Sequence, residues 1–563
     1  MTCVSPGLFV EAMKGSRALG RREFLAGAGG LAATLGGLAA GQSALAPPAR
    51  AAAAFGYTVS GGYITVNTGA GLTFKINQSD GDMTSLNYNG VELQDQSSFS
   101  QVESGLGSGA SVTVYQSGNY IVITESVTNW YGSGTLHHYL VAVNGQNNIY
   151  MATYVNSSGG GELRWISRLN PSVITTVLTP AEVNGGTAIE STDIYLLDGQ
   201  TRSKYYSNRQ AMDLSVRGVT GGAIGVYMAY GNRESSAGGP FFRDIEQQGA
   251  TDNQLYNYMW SAHNQTEAQR LNVLYGPYAL MLSGTTPPGA PDMSFMDGLG
   301  LIGNVPASGR GYVAGGAFGA TSGTTVTVGW ANSTAQYWAS AQSNGDYYSP
   351  AMKPGSYTMT MYQDELAVAS QQVTVPAGST LTGQNLNSGW FTPASPVFRI
   401  GTWTGAPTGF LNSGNLTWMH PSDTRMASWG PVTYTVGSSS ASQFPAYQFK
   451  DVNNPTTVRF TLSSSQITAR TVRIGITAAY AGGRPQITVN NWTSPAPSPS
   501  SQPNSRSLTI GTYRGNNTLF TYAVPASALV AGTNTMTITV ISGSGALSNY
   551  LSPAYSYDCV EMY

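Results

Sequence analysis

Once the amino-terminal leader is set aside, the chain keeps four lysines, Lys75, Lys204, Lys353 and Lys450. Lys204 stands between Arg202 and Arg209 in DGQTRSKYYSNR, with tyrosines beside it. Arginine stays protonated and cannot act as a base, whereas a lysine crowded by other cations can give up its proton near neutral pH. A scarce lysine in that setting points to general-base chemistry on an anionic substrate. The competing reading is a solvated surface lysine.

Four histidines occur in the whole chain, and His263, in YNYMWSAHNQTEAQR, sits in surroundings that resemble a reactive site. It follows a patterned strand in which Tyr256, Tyr258 and Trp260 alternate with Leu255, Asn257 and Met259. Period-two alternation sends the three aromatics to one face, where they would floor a sugar-binding cleft or else form core, leaving His263 a hydrogen-bonded structural residue. Upstream, Arg164 and Arg168 in GGGELRWISRLN are four residues apart, a spacing that shares one side of a strand or of a helix. Two such arginines could grip a carboxylate, or serve as surface cations paired with a neighbour such as Glu162.

Other candidates are weaker. His137 and His138 would face opposite sides of a strand, and Glu162, Asp193, Asp198, Glu234, Asp244, Glu246 and Glu267 are carboxylates from which spacing selects no hydrolytic pair. The chain has no HExxH, no paired cysteine–histidine spacing and no EF-hand loop. Beyond Cys3 of the leader only Cys559 remains, so no disulfide framework can form, and its acidic neighbours in SYDCVEMY mark it as a small buried residue.

The elements that must position these residues are strands. YITVNT, SVTVYQ and YIVITES alternate apolar and polar residues between Gly, Ser and Asn turns, and convincing helical periods are scarce, which points to an all-β chain of antiparallel sandwiches. At 563 residues several cores are required. A first region is expected over 52–306. A second, over 307–388, reads as a small immunoglobulin- or fibronectin-like sandwich through its Lys353-Pro354-Gly355 turn ahead of SYTMTMY. The third spans 389–563, and within it SPAPSPSSQPNS is expected to be a long surface loop between RTVRIGITAAY and GTNTMTITVIS.

Residues 1–51 read as a cleaved export signal, with Arg17, Arg21 and Arg22 ahead of Phe24-Leu25 and an Ala/Gly/Leu run to Leu45. The adjacent arginines suggest twin-arginine export from a bacterium, and hence a secreted protein that is not held at a membrane once the signal is removed. Charged residues make up 10% of the chain, with a formal net charge of -2, which excludes the electrostatic footprint of a nucleic-acid binder. Its 33 tyrosines and 10 tryptophans suit stacking on sugar rings.

Taken in order, ELRWISRL, DGQTRSKYYSNR, YNYMWSAHNQ, KPGSYTMTMY, RIGTWTGAPTGF, WMHPSD, YRGNN and AGTNTMTITV resemble the rhamnogalacturonan lyases of polysaccharide lyase family 4. The resemblance implies a large β-sandwich (supersandwich) catalytic domain, a fibronectin type III-like domain and a C-terminal jelly-roll domain like a carbohydrate-binding module. It implies that Lys204 and His263 are catalytic, that Arg164 and Arg168 form the substrate-carboxylate site, and that Tyr256 and Tyr258 line the cleft. Thr404 in GTWTGAPTGF departs from the pattern, which often has Asp there.

The residues suit the implied chemistry. Removing the C5 proton of a galacturonosyl residue requires its carboxylate to be neutralised, a task for Arg164 and Arg168, with Lys204 as base and His263 as acid, or the two exchanged. No dense carboxylate cluster lies near these motifs, so catalysis without an obligatory metal is expected, with room for a structural Ca²⁺ in the third domain. The expected partner is rhamnogalacturonan I, the alternating rhamnose–galacturonate backbone of pectin, met by a monomer. A carboxylate-pair glycoside hydrolase and a pectin-binding wall protein without catalysis are the alternatives.

Overall fold

A computed structural model describes residues 54–563 apart from Gly160, Asn504, Gly545 and Ala546. The expected signal over 1–51, with its arginines Arg17, Arg21 and Arg22, lies outside the described residues. Among those described, every helical segment is a 3-10 turn, and strands build the rest of the regular structure. No helix among them is long and apolar enough to cross a membrane.

Alternation sets the first sandwich. In Tyr63–Asn67 the residues Ile64 and Val66 are fully buried while their neighbours face outward. This strand belongs to a five-stranded meander running from Gly56–Ser60 to Val91–Glu92. The meander shares a core with a seven-stranded antiparallel sheet, whose adjacent strands Tyr120–Trp130, Gly134–Val143 and Asn148–Val155 supply Ile121, Leu140 and Met151. The opposite face of that sheet is covered as well, by Met293, Met296 and Leu301 over Val122, Val141 and Tyr150. His137 and His138 do face opposite ways: His137 meets Ser126 at 2.8 Å, whereas His138 is buried against Trp165, and burial pushes its imidazole down to about 3.

A four-stranded sheet lies against the same core, in the order Gln247–Gly249, Asn253–Trp260, Leu163–Leu169, Gln101–Val102. It carries the two arginines and the two tyrosines, and it leads into the turn that bears His263.

The second sandwich sets Gly355–Gln363, Leu366–Val375, Val326–Ala331 and Gln336–Ser340 against Tyr312–Phe318 and its short partners, around Trp330, Met359 and Met361. Cys559 is buried in this same core, reaching in from the last strand of the chain. In the third sandwich Arg470–Tyr480 and Gly532–Ile541 lie in opposing sheets over one core. The Pro/Ser-rich stretch from Ser494 to Pro503 is a loop tied to that sandwich, with Pro497 O accepting from Arg484 Nε at 2.6 Å and Gln502 Nε2 donating to Asn516 O at 2.7 Å. Thr404 and Gly405 donate their amides to Asp558 Oδ1 at 3.0 and 2.9 Å, so an aspartate at 404 would bring a second carboxylate beside Asp558.

The first and second sandwiches are pinned by a buried charge cluster. Glu234 takes both Arg310 guanidinium nitrogens at 2.6 and 3.0 Å, the Tyr337 hydroxyl at 2.7 Å and Lys353 Nζ at 3.0 Å. Burial alone would push its carboxyl up, but the Arg310 hydrogen bonds and the Lys353 charge outweigh it and hold Glu234 at about 2 against an ordinary 4.5. Glu234→Gln leaves two buried cations without a counter-charge and should cost about 3–5 kcal/mol at neutral pH. Because the folded value is depressed, the stabilisation is present above pH 4.5 and is lost as pH falls from 4.5 towards 2. Melting temperatures of the two proteins should therefore differ most at neutral pH and converge across that window.

Candidate active site

The strand Leu163–Leu169 pairs antiparallel with Asn253–Trp260, setting Arg164 opposite Tyr258, Ile166 opposite Tyr256 and Arg168 opposite Gln254. A bulge intervenes next: Leu163 pairs with Trp260, skipping Met259. One extra residue moves the following side chain to the other face. Trp260 accordingly packs with Met259 against the main core, while Tyr256 and Tyr258 occupy the opposite face. The expected row of three aromatics is thus a pair.

Nor is that pair an open floor. Tyr256 and Tyr258 are 2% and 1% exposed. They lie beneath Arg164, whose guanidinium sits 5.8 and 5.5 Å above their ring centres and donates to the Tyr258 hydroxyl at 2.7 Å. The tyrosines therefore hold the cation in place through their ring faces and one phenol oxygen. Arg164 also pairs with Glu162, and Arg168 pairs with Asp252 at 2.9 Å. Four residues along a strand place the backbones of the two arginines about 13 Å apart on one face.

His263 is presented by a strained turn. Ala262 and Asn264 on either side of it have φ of 59° and 52°, left-handed conformations that non-glycine residues adopt at a cost. Ser261 Oγ braces the turn by accepting from His263 N at 3.2 Å. The imidazole Nδ1 is buried without a hydrogen-bond partner, and Nε2 lies 3.3 Å from the Tyr205 hydroxyl and 3.5 Å from Glu162 Oε1. Burial, followed by the charges of Lys204, Arg164 and Arg506 and countered by Asp193, lowers this histidine to about 4. It is neutral across the ordinary pH range.

Lys204 arrives from a separate element. Three short strands, Thr187–Glu190, Ile194–Leu197 and Gln200–Arg202, lead into the 3-10 turn Lys204–Ser207, which Ser203 caps by accepting from Tyr205 N at 3.2 Å. Tyr205 joins lysine to histidine: Lys204 Nζ is 5.5 Å from the centre of its ring, and its ring meets His263 edge-on at 5.2 Å. Burial pushes the Tyr205 phenol well up, so it keeps its proton. The crowding by Arg202 and Arg209 expected from the sequence is not built. Arg202 turns to Thr179 O and Gln200, and Arg209 lies exposed on a short strand beside Asp244. The nearest opposite charge is Asp193, 3.6 Å from Lys204 Nζ.

Lys204, His263 and Arg164 thus come together around Tyr205 and Glu162, while Arg168 stands farther along the sheet. Sequence reasoning did not single out Tyr205, or Asp193 as the partner of the lysine. Glu162 and Asp193 are paired with cations, and Asp244 and Glu246, which burial raises to about 8, are 8% and 1% exposed. Two cavities between the first and second sandwiches, of about 750 and 580 Å³, contain none of Lys204, His263 and Arg164. Among the described residues no group of three or more His, Cys, Asp or Glu side chains converges to hold a metal. In the third sandwich Asp423 is taken by Arg425 and Thr201, Glu561 by Arg399 and Arg473, and Asp558 by backbone amides.

Three family profiles match in succession: "Rhamnogalacturonan lyase B, N-terminal" over residues 55–303, "Polysaccharide lyase family 4, domain II" over 309–383, and "Polysaccharide lyase family 4, domain III" over 396–562. "Probable rhamnogalacturonate lyase A" of Aspergillus fumigatus is 50% identical over 519 residues, covering 91% of this chain and 96% of that relative. "Rhamnogalacturonate lyase A" of Aspergillus aculeatus is 47% identical over 519 residues, and that of Emericella nidulans 46%, each with the same coverage of 91% and 96%.

Proposed function

The chain belongs to the rhamnogalacturonan lyases of polysaccharide lyase family 4, and from that premise we propose that it cuts the rhamnose-(1,4)-galacturonate bond inside the backbone of rhamnogalacturonan I by β-elimination. The observation that carries this reading is a guanidinium, Arg164, held on two buried tyrosines beside a neutral imidazole and an ammonium. Arg164 neutralises the uronate carboxylate and holds the charge that builds on it when C5 loses its proton. His263, neutral near pH 7, takes that proton. As the C4–C5 double bond forms the C4–O4 bond breaks, and Lys204 donates a proton to the departing rhamnose oxygen. This gives lysine and histidine the second of the two arrangements open from sequence, because the lysine is paired with Asp193 and the histidine stands unprotonated.

Arg168 is proposed to meet a different uronate of the same polymer. Tyr256 and Tyr258 act on substrate through Arg164, since their own faces are covered. Glu162 holds Arg164 before substrate arrives and must yield to the incoming carboxylate. Glu162→Gln should therefore lower KM several-fold, on the order of 1 kcal/mol, with a smaller change in kcat. Initial-rate kinetics on the polymer check this split.

With Arg164 in the neutralising role, catalysis needs no metal, and a chelator should leave the rate unchanged after dialysis. The protein is proposed to act as a monomer, since all the groups named come from one chain, and outside the cell, where pectin lies. The relatives named above are fungal and lend no support to the bacterial twin-arginine route suggested by Arg21 and Arg22. Native polymer and polymer whose carboxyl groups have been reduced to alcohols test the reading. Rapid loss of viscosity with the native chain only is expected; equal cleavage of both would overturn it.

A further inference from the structure

The third sandwich is built into the site. Tyr206, two residues past Lys204, donates its hydroxyl to Thr509 O at 2.9 Å, and Asn208 donates to Thr417 O and Gly511 O at 2.8 and 2.9 Å. Gly511 has φ +72°, and a Cβ there would lie 2.6 Å from Asn208 Nδ2 and 2.8 Å from Tyr205 O, so only glycine lets that backbone press against the lysine turn. On the other side of the lysine, Thr201 gives both its amide and hydroxyl to Asp423 Oδ2 at 2.7 and 2.6 Å. The seam is buried: Thr201, Tyr206, Thr509, His420 and Asp423 are each at most 5% exposed.

Across this seam Arg506 reaches Glu190 Oε1 through Nη1 at 2.7 Å and Asp193 Oδ2 through Nη2, also at 2.7 Å. Glu190 is itself fixed by Thr509 Oγ1 at 2.8 Å and His420 Nε2 at 3.0 Å. Asp193 has one oxygen on the arginine and the other facing Lys204 Nζ. The chain of contacts is continuous from the third sandwich to the ammonium.

We propose that Arg506 is a positioning residue for the elimination: by clamping Asp193 from the third sandwich it fixes where Lys204 delivers its proton, so this sandwich completes the catalytic site. The inference rests on the reading of Lys204 as one of the proton-transfer pair. A group that only anchors polysaccharide would alter KM, whereas a group that aims Lys204 alters kcat.

Arg506→Ala should lower kcat about ten- to hundred-fold, with KM changed less than about two-fold, and dilute guanidinium added to this variant should restore part of the loss, since the side chain is 24% exposed. Asp193→Asn, which leaves the Arg506–Glu190 contact intact, should show a loss of similar size. The double variant should be no slower than the slower single one, because both act through one contact. Unchanged kcat in either single variant, a loss confined to KM, or losses that multiply in the double variant would overturn the inference. If Arg506→Ala does not fold, Asp193→Asn decides by its kcat alone. Full turnover by Lys204→Ala would instead defeat the proton-pair reading itself, whereas an inactive Lys204→Ala beside normal Arg506 and Asp193 variants would defeat only this inference.

Discussion

Lys204→Ala is expected to lower kcat by about 10²–10⁴-fold, the usual contribution of a positioned acid or base, while leaving the fold and the retention of polymer nearly intact. The lysine side chain is 18% exposed and its ion pair to Asp193 is loose at 3.6 Å. Such a pair contributes about 0–1 kcal/mol to stability. The turn around it is held by Tyr206, Asn208 and Ser207, none of which depends on the ammonium. Lys204→Arg should not restore turnover, because a guanidinium does not give up its proton and its planar fork cannot occupy the place of an ammonium. Rates, melting temperature and binding measured on the same preparations separate chemistry from folding. A Lys204→Ala protein that turns over at a substantial rate would remove the lysine from the mechanism.

The second large effect concerns His263. His263→Ala should cost kcat as much as Lys204→Ala, since neither half of the proton traffic proceeds without its group. The pH profile of the wild-type protein identifies which half the histidine performs. With its value lowered to about 4, chiefly by burial, the imidazole is unprotonated above that point. As base, it makes kcat/KM rise through about pH 4 and stay level towards neutrality. As acid, it would make the rate fall above about pH 4, so the two arrangements give slopes of opposite sign. Melting temperatures at each pH control for the acid loss of the Glu234 cluster, which falls in the neighbouring window.

Strand alternation made the sandwiches and the shared face of Arg164 and Arg168 readable, because both follow from local period-two geometry. The position of Trp260 was not readable. It depends on a bulge at Met259, which neither side chain advertises. The burial of Tyr256 and Tyr258 depends on Arg164 lying over them, a matter of what covers a face and not of the strand itself. Lys204 is the sharpest case. Its sequence neighbours Arg202 and Arg209 turn away from it, and its working neighbourhood comes from Asp193 across a hairpin and, through Asp193, from Arg506, 313 residues away from that aspartate. The WMHPSD motif carried a signal for that seam, since it supplies His420 to Glu190 and Asp423 to Thr201, but a motif alone does not say against what it packs.

The central claim is elimination, and counting both products of one digest tests it most directly. Wild-type protein acting on rhamnogalacturonan I should create one ultraviolet-absorbing unsaturated galacturonosyl end for every new reducing end, with the ratio constant throughout the reaction. Reducing ends that accumulate without the absorbance would mean hydrolysis, and would contradict the roles given to Arg164, His263 and Lys204.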